Sequence, residues 1–89
     1  MKTNKEIENL KTHIEKNYAT NLRLFIEYSN EYDELKHQKK YKKANDAWED
    51  AHCYLSRCCE DAELYSEIIK TGYNDALELL NRLCNWGDN

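Results

Sequence analysis

The sequence predicts an all-α protein, a single helical domain over residues 1–89 folded as a three-helix antiparallel bundle with two long helices and a short C-terminal helix. Three observations carry that expectation. Proline is absent and glycine occurs only at Gly72 and Gly87, so turn chemistry is scarce and long helices are the default. Apolar residues recur at steps of three and four over most of the chain. The phase of that pattern breaks in the lysine-rich stretch 36–41, where one uninterrupted helix would turn its apolar face away from its own core.

Helix one opens on Thr3-Asn-Lys-Glu6, a capping box in which Thr3 accepts from the Glu6 amide and the Glu6 carboxylate reaches back. Its apolar stripe runs Ile7, Leu10, Ile14, Tyr18, Leu22, Phe25, Ser29, Tyr32, and ends near residue 36. Leu24, Tyr28 and Leu35 widen it enough to meet two neighbours. Helix two begins at Tyr41 and reads as a heptad seam, with Tyr41, Trp48, Leu55, Ala62 and Ile69 at a and Ala44, Ala51, Cys58 and Tyr65 at d. Gly72 is the expected left-handed stop. Helix three runs from about Asn74 to Trp86 and buries Ala76 or Leu77, Leu80, Leu83 and Cys84.

No apolar run reaches the ~20 residues that span a bilayer, and no hydrophobic stretch follows the positive N-terminus as a signal peptide requires. The expectation is a cytoplasmic protein of a bacterial or host cell, with its four cysteines reduced. Charge is polarised. Residues 1–43 hold ten Lys/Arg against seven Asp/Glu, whereas 44–89 hold three against ten.

The cysteines leave three readings open. Cys58, at d, and Cys84 serve as small buried hydrophobes in the leading one. In the second, Cys58, Cys59 and Cys84 come to one level when helix three folds back about Gly72, and with His13 they hold one structural zinc ion. The third is a disulfide. Neither a CxxC nor an HxxxH spacing is present to select zinc. Cys53 falls on the outer face and His52 beside the seam.

The outer face of helix two carries Asp46, Glu49, Asp50, Glu60, Glu63 and Glu67, with Arg57 alone to relieve them. Carboxylates three and four positions apart stand roughly 5–6 Å from one another, close to the phosphate spacing of a nucleic-acid strand. Such a face can act as a nucleic-acid mimic in a basic groove, and it can equally be a solvated helix surface. Direct nucleic-acid binding is not expected, because "KHQKKYKK" is the only basic patch on an otherwise acidic chain. No nucleophile elbow or phosphate-cradling glycine loop is present, so the expectation is no enzyme.

Tyr41, Ala44, Trp48 and Ala51 make residues 41–55 similar to the second helix of a tetratricopeptide repeat. The following proline, the Trp-Leu-Gly pattern in helix one and a copy 34 residues on are all missing, so no function is carried over. In size, acidity and lack of enzyme motifs the chain resembles small phage-encoded inhibitors of the anti-CRISPR type. That resemblance implies a protein partner with a basic nucleic-acid-binding surface, blocked by occlusion. The rival expectation is a helical oligomerisation or adaptor module, zinc-stabilised or not, that self-associates through its Tyr and Trp positions.

Overall fold

The computed structural model describes residues 4–84. These form α1 (Asn4–His37), α2 (Tyr41–Ile69) and α3 (Tyr73–Cys84), and no strand occurs among the described residues. The two breaks fall at the lysine-rich stretch and just before Tyr73, where the sequence places them. Thr3 of the capping box and Trp86 lie outside the described residues.

Both helix ends close on a left-handed residue, and in neither case is it glycine. Lys39 has φ 61° and Lys70 has φ 55°. At the end of α1 the Lys40 amide donates to the Leu35 carbonyl at 2.9 Å and the Lys39 amide to the Lys36 carbonyl at 3.0 Å. That pair of bonds satisfies the last carbonyls of the helix, and Lys36 adds positive charge at its negative end. At the end of α2 the Thr71 amide reaches the Ser66 carbonyl at 3.0 Å. The expected role of Gly72 is therefore taken by Lys70, two residues earlier. Gly72 instead leads into α3, its carbonyl accepting from the Ala76 amide at 3.0 Å.

α1 and α2 are the long elements and pack most extensively on each other. Contacts between them pair Glu15 with Tyr65, Asn21 with Asp61, Tyr28 with Tyr54 and Tyr32 with Trp48, so numbers rise on α1 as they fall on α2. α3 has twelve residues, roughly 18 Å of helix, in a molecule 54 Å long. It can cover only part of the α1–α2 pair.

The main core follows from that mismatch of lengths. Ile14 and Tyr18 of α1, Cys58, Ala62 and Tyr65 of α2, and Ala76 and Leu80 of α3 form one buried cluster, flanked by Leu10, Leu22, Ile68, Ile69, Leu77 and Cys84. Every member lies in the half that α3 covers. Polar ties cross it: the Tyr18 hydroxyl donates to Asn81 Oδ1 at 2.6 Å, the Tyr65 hydroxyl to Glu15 Oε2 at 2.6 Å, and Asn21 Nδ2 to Asp61 Oδ2 at 3.3 Å. In the other half the buried residues are alanines, Ala44, Ala47 and Ala51. Side chains this small let two helices approach closely, and the larger aromatics are left along the edges of the contact.

That arrangement corrects the expected phase of α2. The buried or half-buried positions run 44, 47, 51, 54, 58, 61, 65, 68, which joins g to the d positions, and of the expected a positions only Ala62 and Ile69 are covered. Tyr41, Trp48 and Leu55, expected at the seam, are 60, 44 and 36% exposed. Leu83 of α3, also expected to be buried, is 55% exposed, because Ala76 and Leu80 take the inner face. None of the described helices is long and apolar enough to cross a membrane.

Candidate functional site

The six carboxylates of α2 named from the sequence are all exposed. They do not form one cluster. Asp46 and Asp50 stand beside α1, lining a shallow notch with Tyr28, Glu31, Leu35 and Lys43. Glu60, Glu63 and Glu67 lie on the half that α3 covers, and Glu49 is about 16 Å along the axis from Glu60. Among the described residues the ion pairs lie elsewhere: Lys11 with Glu8 at 3.7 Å and Arg82 with Glu78 at 2.7 Å.

Two cations border this surface: Lys43, in the notch with Asp46 and Asp50, and Arg57. The Arg57 guanidinium carbon sits 5.2 Å over the ring of Tyr54, which in turn stacks on Tyr28 at 5.6 Å with 7° between the planes. The Tyr28 hydroxyl is held above its usual pKa, first by Tyr54 and then by the Asp50 carboxylate. Glu31 and Tyr28 thus belong to the acidic notch, although the sequence reading placed the acidic site on α2 alone. Their signal was available only in combination: α1 residues 28 and 31 meet α2 residues 46 to 54 once the helices are paired.

The cysteines have a different environment. Cys58 is buried, Cys84 half-buried, and Cys53 and Cys59 exposed, and none of the four is in a disulfide. Cys58, Cys59 and Cys84 are near enough to Tyr18 to add to the rise that burial imposes on its hydroxyl. Burial also pushes the Cys58 thiol up to about 12, with Asp61 adding to the rise. A zinc ligand has to give up its proton, so this surrounding opposes a thiolate there. The Tyr73 hydroxyl pairs with Cys59 and is raised to about 12 chiefly by that bond. His13 is exposed and within electrostatic reach of Asp61. Among the described residues no group of three or more His, Cys, Asp and Glu is placed to hold a metal ion. Cys58, Cys59, Cys84 and His13 are therefore not gathered as one ligand set among the described residues.

A second surface is apolar. Along the edge of the α1–α2 pair, Tyr32 meets Trp48 at 5.1 Å and a 43° tilt, and Trp48 meets His52 edge-on at 4.7 Å. Lys36 lies 5.6 Å from the centre of the Tyr32 ring. Tyr41, Leu55 and Ile26 continue the exposed apolar surface of this half. Comparison with protein-family models, with curated protein sequences and with solved structures finds no match to this chain.

Proposed function

We propose that this chain is a non-enzymatic binding module whose acidic α2 face occupies a basic, nucleic-acid-handling surface of a partner protein and blocks it, as a phage-encoded inhibitor of the anti-CRISPR type would. One observation carries the reading. The outer carboxylates of α2 are exposed and enter no ion pair among the described residues, and the Arg57 guanidinium lies over the Tyr54 ring. Like charges three and four apart cost a helix a few tenths of a kcal/mol per pair, and that cost is recovered when a cationic surface binds them. An acidic stripe on a rigid helix also presents its charge without first having to be ordered.

The proposal includes a three-helix antiparallel bundle as the scaffold. Its support is the opposite numbering of the α1–α2 contacts and the short turns, which return the chain on itself. In that arrangement Asp46 and Asp50 border α1, whereas Glu49, Glu60, Glu63 and Glu67 stand exposed on α2, so replacing these four should leave the fold intact.

The test is a pull-down from cell extract, with and without nuclease, using wild type and the pair Glu60→Lys, Glu63→Lys. Wild type should retain a protein partner after nuclease treatment, and molar salt should release it as the Debye length falls to ~3 Å. The double variant should lose that partner while keeping its helical circular dichroism. Retention at wild-type strength would overturn the acidic-face mechanism.

A further inference from the structure

One row of α2 is treated in two ways by the fold. Tyr41, Trp48, Leu55, Ala62 and Ile69 repeat every seven residues, so they share one side of the helix. Ala62 is fully buried and Ile69 packs on the core cluster, where α3 lies across them. Tyr41, Trp48 and Leu55 keep the same direction but stand exposed. α3 thus shows what kind of object this side of the helix pair accepts: another helix.

We propose that the exposed half of this row is the docking surface for a second copy of the chain, the two copies packing their two-helix halves in opposite directions about a twofold axis. Each copy would complete for the other the third and fourth helices that α3 does not supply at this level. The row has the composition of an interface core, since Tyr and Trp are enriched there and charged residues are depleted. A twofold contact is also the commonest way for identical chains to close on themselves.

Charge selects the second copy and its direction. The turn that ends this half carries Lys36, Lys39, Lys40, Lys42 and Lys43. Packing in the same direction would bring two such turns together, which is repulsive. Packing in opposite directions carries each lysine-rich turn toward the level of Asn21 and Asp61 on its neighbour. There Glu60 and Glu63 are exposed, and α2 has no cation beyond Arg57. The polarity of the chain is then satisfied between copies. This inference does not rest on the acidic-face reading: it uses the aromatic row and the charge polarity of the chain, and its test involves no other protein.

Sedimentation equilibrium of the purified chain over a range of concentrations, at low salt, should show a mass rising to twice the 10.7 kDa of one chain. Tyr41→Glu and Trp48→Glu should each hold it at one chain with helical circular dichroism unchanged. Should Trp48→Glu lose helix, Tyr41→Glu decides, since Tyr41 is outside the core and begins α2. Lys39→Glu with Lys42→Glu should weaken association about tenfold or more, and adding Glu60→Lys should restore part of it. In a Trp86→Phe background, Trp48 fluorescence should shift to shorter wavelength as the mass doubles. A wild-type mass of one chain at every concentration would overturn the proposal. So would a dimer that forms with wild-type strength in Tyr41→Glu, or one that leaves Trp48 fluorescence unmoved.

Discussion

The half of the molecule that α3 covers and the half that it leaves open are built on the same two helices but held by different means. In the covered half, Tyr18, Tyr65 and Leu80 are almost fully enclosed, and hydroxyl and amide groups tie the helices to one another. In the open half the centre of the contact is alanine, and rings stack at its edges. Burial of large apolar side chains is what offsets the entropy of ordering a chain. The covered half therefore carries most of the stability and the open half most of the surface available for binding.

Truncation separates the two most widely. Leu80→Ala removes a fully buried side chain from the junction of three helices and should cost about 2–5 kcal/mol in urea denaturation. Leu55→Ala, made on a side chain 36% exposed, should cost about 1 kcal/mol in the monomer. Equal losses would mean that the open half is as well packed as the covered one.

That contrast also shows where sequence reasoning stops. Three helices, both breaks and the α1 stripe from Ile14 to Tyr32 are visible in the spacing of apolar residues, because bulky side chains dominate that stripe. In α2, two stripes with three-four spacing overlap and share the d row. One adds Tyr41, Trp48 and Leu55; the other adds Ala47, Tyr54 and Asp61. Hydropathy favours the first, and close helix approach favours the second, because only small residues fit where two backbones come nearest. The length of α3 then determines which part of the rejected row is covered, and that is a tertiary fact. The acidic residues were legible as a helix surface. Glu31 and Tyr28 could join Asp46 and Asp50 only after α1 and α2 were paired.

Removing polar ties should have the next largest effect. Tyr65→Phe deletes a 2.6 Å bond to a carboxylate and Tyr18→Phe a 2.6 Å bond to an amide, each from the covered half. Losses of about 1–2 kcal/mol are expected, larger for Tyr65, whose partner is charged. Both hydroxyls, and the Cys58 thiol, are raised above their ordinary values of 10.0 and 9.0 mainly by burial. Their protonated forms are favoured by folding, so that stability is present below pH 9 and is lost as pH rises through their folded values. An alkaline melting series should show the fall, with a shallower slope in Tyr65→Phe.

Asp61 has the opposite consequence at neutral pH. It is buried, and desolvation raises its carboxyl from 3.8 despite hydrogen bonds from Asn21 and Asn17. Its folded form binds the proton more tightly, so its contribution is favourable in acid and declines as pH rises through the folded value. Asp61→Asn keeps a partner for Asn21 without the charge. It should raise the melting temperature at pH 7 by an amount worth ~1 kcal/mol, and the gain should vanish as pH approaches 3.8. A gain that persists in acid would show that charge burial is not its source.

The smallest effects test whether the two halves unfold together. Lys39 ends the open half and Lys70 the covered half, and both hold a left-handed backbone that costs a side-chain-bearing residue about 1 kcal/mol. Glycine adopts that conformation freely, but it also loses more entropy on folding, roughly 0.5–1 kcal/mol. Lys39→Gly and Lys70→Gly should each be stabilising by no more than a few tenths of a kcal/mol. If the molecule melts as one unit, the two gains should be equal, because relief at either turn is lost in the same step. If the alanine-packed half frays first, relief at Lys39 raises only the cost of local opening. Lys70→Gly alone would then shift the global transition, while Lys39→Gly would slow amide exchange in residues 30–50 without moving the melting temperature. Equal shifts would show that an alanine seam edged by rings is enough to couple the open half to the rest.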